Sequence, residues 1–414
     1  MVVRFGPRRP SVTRNKEVIM HPIRAGEAAG AGAPTVEVSL GEVALVFLKL
    51  GTIAFGGPAA HIAMMEDEFV TRRRWLTREQ FLDRLGAANL IPGPSSTEMA
   101  IFIGYEKRGW PGLLVAGCTF ILPAAIIVGA IASAYVRYGT LPQVNGVLYA
   151  LKPVVIAVVI QAFWKLARTA VKTAWLGIVA LIAAVSYALR VHEVLILAIA
   201  AILAGAPLLY RALRTRPLLP AFFLTPMTPA RAVAIFAATS APFGLWRLFL
   251  VFTKVGAVLF GSGYVLLAFL QADLVDGLHW LTERQLLDAV AVGQITPGPV
   301  FTTATFIGYI IGGTPGAIIA TIGIFAPAFL FVGISGFVIP RIRRSTIAAA
   351  MMDGVVVGSL ALMGVVAWQL ARAAIIDLPT LVIAIVSTAL LLRFRVNSVW
   401  LIAAAGAFGW LYRG

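Results

Sequence analysis

Apolar residues in this chain come in long blocks, not in the alternation of a strand or the single stripe of a soluble helix. From Leu40 onward these blocks approach the roughly 20 residues needed to cross a bilayer as a helix. Short polar loops separate them. The first run, Leu40 to Met65, carries Lys49 and is interrupted at Phe55-Gly56-Gly57-Pro58. A basic, amphipathic stretch follows from Glu66 to Arg84, and further spans are predicted over 111–136, 144–164, 174–189 and 193–210.

One block cannot be a continuous helix. In Asn89-Leu90-Ile91-Pro92-Gly93-Pro94-Ser95-Ser96-Thr97-Glu98 two prolines flank a glycine. Each proline lacks an amide hydrogen and clashes with the carbonyl four residues back. Backbone groups left unpaired inside a membrane cost several kcal/mol unless protein or a water-filled cavity satisfies them. Ser95, Ser96 and Thr97 suit the start of a new helix. Free amides and hydroxyls at such a start form a seat for an anion. The arms on either side of the break are about a dozen residues each, ~18 Å, about half of a bilayer core. Their outer ends carry Arg78 and Arg84, and Lys107 and Arg108, so both are expected at the cytoplasm. The segment therefore reads as a re-entrant hairpin with its Pro-Gly-Pro tip near the midplane.

About 205 residues later the feature recurs as Gln294-Ile295-Thr296-Pro297-Gly298-Pro299-Val300-Phe301-Thr302-Thr303. Lys49 matches Lys254, and Phe55-Gly56 matches Phe260-Gly261. Trp75-Leu76-Thr77 matches Trp280-Leu281-Thr282, Asp83 matches Asp288, and Gly104-Tyr105 matches Gly308-Tyr309. Pro111-Gly112 and Pro123-Ala124 have their counterparts at Pro315-Gly316 and Pro327-Ala328. The chain is an internal duplication. Flanking charge differs between copies: Arg72-Arg73-Arg74 gives way to Asp276-Gly277-Leu278, and Glu106-Lys107-Arg108 to Ile310-Ile311-Gly312. The first hairpin is thus expected to open to the cytoplasm and the second to the outside, which makes the halves inverted repeats. The predicted fold is all-α and polytopic, each repeat having about five crossings plus a hairpin. Residues 1–38 read as a disordered basic tail with Met20 as an alternative start, 39–210 as the first repeat, 211–244 as a connector and 245–414 as the second repeat.

Composition agrees. The chain is 60% hydrophobic and only 13% charged, against about 25% charged residues in soluble domains. The net charge of +16 comes from 34 Lys and Arg against 18 Asp and Glu. Because the basic residues sit in short loops between apolar runs, the partner they indicate is the lipid bilayer, not nucleic acid. The single cysteine, Cys118, excludes an intrachain disulfide. No metal-ligand spacing, phosphate loop, cofactor motif or catalytic triad is present, which argues against an enzyme.

Candidate chemistry gathers at the hairpins. An anion in a low dielectric needs several donors. Two half-helix starts supply amides and partial positive charge, and Ser95, Ser96, Thr97, Thr302 and Thr303 add hydroxyls. Asn89 and Gln294 bring amide donors just before each break. Lys49 and Lys254 occupy equivalent places in apolar runs, where a lysine costs about 3 kcal/mol; they either join the site or snorkel to an interface. Glu98 either caps its helix or carries a proton. His61 is either a packed histidine or a proton relay. Gly56, Gly57, Gly261 and Gly263 read as points of close backbone approach or unwinding, and Gly56, Gly57, Gly261 and Ser262 count among the substrate-binding candidates. Trp75 and Trp280 read as membrane-interface anchors.

The strings Phe55-Gly56-Gly57-Pro58-Ala59-Ala60-His61, Trp75-Leu76-Thr77 and Pro92-Gly93-Pro94-Ser95-Ser96-Thr97, with their duplicated counterparts, resemble the chromate ion transporters in their long, two-half form. The second copy departs from the first at Gly261-Ser262-Gly263-Tyr264 and at Val300-Phe301. The resemblance implies a secondary transporter in the cytoplasmic membrane that expels chromate under the proton gradient, with sulfate as a structural analogue. It implies no cofactor. A homodimer is one candidate assembly. An oxyanion importer or exchanger and a passive anion channel are the alternatives.

Overall fold

The computed structural model describes residues 38–139, 141–215, 244–260, 263, 265–394 and 396–413. The expected tail, the Met20 start, nearly all of the connector, and the site candidates Gly261 and Ser262 lie outside them. Among the described residues every regular element is helical.

Helix α1 (Leu40–Ile53) starts at Ser39, whose hydroxyl accepts from the Glu42 amide at 3.1 Å. The chain breaks at Ala54 and resumes after Gly56 as α2 (Gly57–Glu66), which continues as a wider-wound turn to Arg72. Then comes the Trp-Leu-Thr motif, whose purpose is capping. Thr77 Oγ1 accepts from the Gln80 amide at 3.2 Å, and Gln80 Oε1 accepts from the Thr77 amide at 2.8 Å, which starts α3 (Arg78–Ala88). Such a box satisfies two orphan donors at once. Trp75, expected as an interface anchor, is instead 4% exposed and stacks on Phe69 at 5.0 Å.

Helix α4 (Ser95–Tyr138) follows the Pro-Gly-Pro break and turns sharply at Arg108-Gly109, where Gly109 has φ 58. Its short arm ends near Lys107 and its long arm runs back alongside. Gly104 and Gly112 sit backbone to backbone across the turn, so a Cβ on either would strike the other's carbonyl. Arg84 Nε donates to Glu106 Oε2 at 2.8 Å, and Lys107 Nζ donates to the Trp75 carbonyl. The outer end of the short arm is thereby tied to the outer end of α3. Helices α5 (Pro142–Ala170), α6 (Ala174–Ala188) and α7 (Glu193–Thr215) complete the half, α7 running past the expected end at residue 210.

The second half repeats the plan. Helix α8 (Leu245–Val258) is followed by a break, α9 (Leu266–Leu270) and a wide turn to Gly277. Helix α10 (Glu283–Ile295) starts with the same Thr-Gln box at Thr282 and Gln285. A single turn, Val300–Thr302, leads into α11 (Thr303–Arg344), which turns at Gly312-Gly313 with Gly308 against Gly316. Helices α12 (Thr346–Ala374), α13 (Leu378–Arg393) and α14 (Ser398–Arg413) close the chain.

Packing is exchanged between halves. Helix α1 lies on α4 and α8 on α11, but α5 packs against α13 and α14, while α12 packs against α6 and α7. Reciprocal exchange of this kind relates the repeats by an approximate twofold axis. Lipid gives apolar helices no hydrophobic reason to associate, so close approach at small residues holds them. Gly51 abuts the Phe120 backbone and Gly256 that of Ile324; Gly354 abuts Ala200 and Gly409 abuts Gly146. Among the described residues five helices are long and apolar enough to cross a membrane: those over Ser95–Tyr138, Pro142–Ala170, Glu193–Ala212, Val300–Phe337 and Thr346–Ala374. The chain is an integral membrane protein of all-α architecture.

Candidate functional site

A helix that stops leaves its last carbonyls without intrahelical donors. At the α1 break the Ala54 carbonyl accepts the Gly298 amide at 2.9 Å, and at the α8 break the Leu259 carbonyl accepts the Gly93 amide at 2.8 Å. Each Pro-Gly-Pro tip therefore seals the broken helix of the opposite repeat. The Pro-Ala motifs take part as well. A Cβ on Gly298 would lie 2.7 Å from the Ala124 Cβ, and one on Gly93 would lie 3.7 Å from the Ala328 Cβ. Small residues at 124 and 328 let the tips cross. The candidate residues Pro92, Gly93 and Pro94, and Pro297, Gly298 and Pro299, thus each pack on the opposite repeat, and the glycine amides are engaged there and are not free for a ligand.

What remains free lies mainly in the first repeat. Ser95 and Ser96 open α4, where a helix leaves its first amides without partners. Ser96 is 2% exposed and Thr97 is fully buried, with no partner for the Thr97 hydroxyl. Glu98 is also fully buried, and neither carboxyl oxygen has a hydrogen-bond partner. Its Oε1 lies directly beneath Gly93. Near the other tip, His61 Nε2 bonds the same Ala54 carbonyl at 3.0 Å, which leaves buried Nδ1 without a partner. Buried polar groups in native proteins are nearly always bonded, so unbonded ones beside the two helix breaks call for missing partners.

The second repeat contributes less than the sequence implied. Thr302 and Thr303 donate their hydroxyl protons to the Pro299 and Val300 carbonyls, each at 2.8 Å, and so cap their own turn. Threonine hydroxyls commonly compete in this way for nearby backbone. Gln294 is 8% exposed, whereas its counterpart Asn89 stands exposed at the end of α3. Gly56 and Gly57, with φ 104 and 77, make the turn from α1 into α2.

Neither lysine presents a free ammonium. Lys49 is half exposed and lies 3.5 Å from Glu68, and Lys254 bonds both Glu193, at 2.9 Å, and Asp273. Glu68 and Asp273 are equivalent positions, so each repeat ties its first helix to the wide turn after its second. Glu68 lies outside the apolar spans. Burial pushes its carboxyl up, but Arg73 at 2.7 Å and Lys49 outweigh that and hold it below the ordinary carboxylate range.

Sequence reasoning passed over one further group. Lys152 in α5 lies 3.0 Å from Asp288, which is fully buried and also accepts from the Tyr135 hydroxyl at 2.9 Å. Lys152 lines a cavity of about 460 Å³ together with Asn145, Tyr149 and Arg284. The signal was available: a lysine beside Pro153 in an otherwise apolar span is costly enough to demand a reason. No set of three or more His, Cys, Asp or Glu side chains is gathered for a metal ion among the described residues.

The family model for chromate transporters matches the chain twice, over residues 41–206 and 246–410. A chromate transport protein of Cupriavidus metallidurans is 33% identical over 92% of this chain and 94% of its own length. A probable chromate transport protein of Synechococcus elongatus is 33% identical over 84% and 89%, and a chromate transport protein of Pseudomonas aeruginosa 30% over 94% and 96%. No solved structure matches. Two copies of one family domain, joined through crossed Pro-Gly-Pro tips, identify the chain as a member of the chromate transporter family.

Proposed function

We propose that the chain is a secondary active transporter that exports chromate, or a related tetrahedral oxyanion such as sulfate, across the cytoplasmic membrane in a proton-coupled cycle. One observation carries the reading. Thr97, Glu98 and His61 leave buried polar atoms without partners around two crossed helix breaks. The Ser95 and Ser96 amides, the Thr97 hydroxyl and the positive end of α4 offer donors to an anion. Glu98 supplies the proton link. Ionised, it repels a dianion; protonated, it donates a hydrogen bond to one. A dianion leaving with one proton still carries net negative charge outward. An interior-negative potential favours that by about 2.3 kcal/mol per charge per 100 mV. Alternating access follows from movement of the hairpins about their crossing.

The test is oxyanion counterflow in proteoliposomes under imposed proton gradients, with chromate, sulfate and molybdate compared in both directions. The reading requires saturable flux that responds to the gradient. Flux that neither saturates nor responds belongs to a passive channel and rejects it.

A further inference from the structure

The equivalent ion pairs of the two repeats are completed in opposite ways. In the first, one buried carboxylate, Glu68, meets two cations, Lys49 and Arg73. In the second, one cation, Lys254, meets two carboxylates: Asp273, and Glu193 from the start of α7. Glu193 is 4% exposed, and the outer oxygen Oδ2 of Asp273 is buried without a partner. Asp273 and Glu193 both accept from the one ammonium of Lys254, which holds the two carboxylates side by side. Two carboxylates and one ammonium leave a net negative charge, which a single proton cancels, whereas ions buried without compensation cost several kcal/mol.

We propose that Glu193, Asp273 and Lys254 form a proton-binding site at the outer mouth of the second hairpin. The other charged groups around it lie on every neighbouring element. Arg190 follows α6 and is 3.7 Å from Asp276; His192 precedes α7 and lies 3.7 Å from Glu193. Gln271 donates to Asp276 at 3.1 Å. Tyr187 of α6 is 8% exposed, its buried hydroxyl is unpartnered, and it lies in the field of Glu193, Asp273, Asp276 and Arg190. Burial, only partly offset by Lys254, pushes the Asp273 carboxyl up to about 6. The loop from Arg190 to His192 joins α6 and α7; the other end of α6 meets Lys172 and the end of α5 with Lys165 and Arg168, and the other end of α7 carries Arg211 and Arg214. By the positive-inside rule the loop faces outside. The site has a route to the crossing. Lys254 stands on α8, whose terminal carbonyl at Leu259 holds the first tip. Gaining or losing the proton changes how α8 is held.

This rests on the proposed oxyanion transport, and the test separates the two. The full chain in proteoliposomes is given an imposed proton gradient, and oxyanion accumulation is compared with oxyanion–oxyanion exchange. Wild type accumulates, while D273N and E193Q lose accumulation and keep exchange. If wild type shows no oxyanion flux, the transport reading fails. If wild type responds and both variants respond equally, this inference alone fails. Accumulation that follows a sodium gradient and not a proton gradient, and is lost in D273N, overturns it in favour of a metal cation. An infrared reading covers variants that lose exchange altogether. In purified E98Q, which lacks the other proton-carrying carboxyl, detergent samples show a protonated-carboxyl band that disappears as pH is raised and is absent from E98Q/D273N. The same band in E98Q/D273N overturns the proposal.

Discussion

The amide of Gly93 donates to the carbonyl of Leu259, across the boundary between the repeats, at 2.8 Å. Its counterpart, Gly298, returns the favour to Ala54 at 2.9 Å. A helix break in one half is completed only by the tip of the other, so the centre belongs to neither copy alone.

Gly298 has φ 84 and no room for a Cβ beside Ala124. G298A is expected to destabilise the protein by about 1–3 kcal/mol through strain and overpacking, and to abolish oxyanion flux. Thermal unfolding of the purified protein and proteoliposome flux are the readouts. A124G in the same chain relieves the contact but not the backbone strain, so it restores only part of the stability. Full restoration would show that the positive φ carries no cost.

Glu98 is buried beneath Gly93 with no partner. Glutamine there keeps a donor but cannot ionise. E98Q is expected to transport oxyanion at a rate that varies less with pH than that of wild type, the dependence that remains being that of the Glu193–Asp273 pair. A pH profile for E98Q that overlays wild type would remove Glu98 from the proton link.

The two helices that lead into the Pro-Gly-Pro tips are held unequally. Helix α10 is buried from Leu286 through Gln294, and its Asp288 is gripped by Lys152 and Tyr135. Helix α3 buries only Phe81, Ala87 and Ala88. K152M leaves the Asp288 charge without its cation and should cost about 3–5 kcal/mol. K152M with D288N removes both charges and should recover much of that loss. Equal melting temperatures for the single and double variants would contradict a buried pair.

Glu68 gives a pH dependence whose sign is fixed. Its folded-state carboxyl lies below the ordinary range because Arg73 and Lys49 overcome burial. A depressed carboxylate contributes stability above its unfolded value, about 4.3, and loses that contribution as pH falls through the folded value. E68Q should therefore melt lower than wild type at neutral pH, with the gap closing under acid conditions. A gap that widens on acidification would reverse the assignment.

Much of this architecture was legible in the chain because membrane helices advertise themselves. The apolar blocks, the break at Phe55-Gly56 and the Pro-Gly-Pro tips all follow from local chemistry, and local chemistry is what a sequence displays; the Trp-Leu-Thr strings showed as a duplication, not as the helix caps that they form. The crossing of the tips was not legible, since a hydrogen bond from Gly298 to Ala54 depends on how distant segments pack. For the same reason the lysines misled. A charge in an apolar run is visible, but the carboxylates that claim it, Glu68 beside Lys49 and Glu193 beside Lys254, come from other elements. Thr302 and Thr303 looked like donors to a ligand, and only the backbone geometry shows their protons already donated.

The central claim is that the first hairpin holds the oxyanion through the start of α4. Chromate and sulfate flux through S95A/T97V in proteoliposomes tests it most directly, with protein amount and melting temperature matched to wild type. The account predicts that flux falls to the level of empty vesicles, while T302V/T303V keeps most of it. Unchanged flux in S95A/T97V would mean that the oxyanion is held elsewhere.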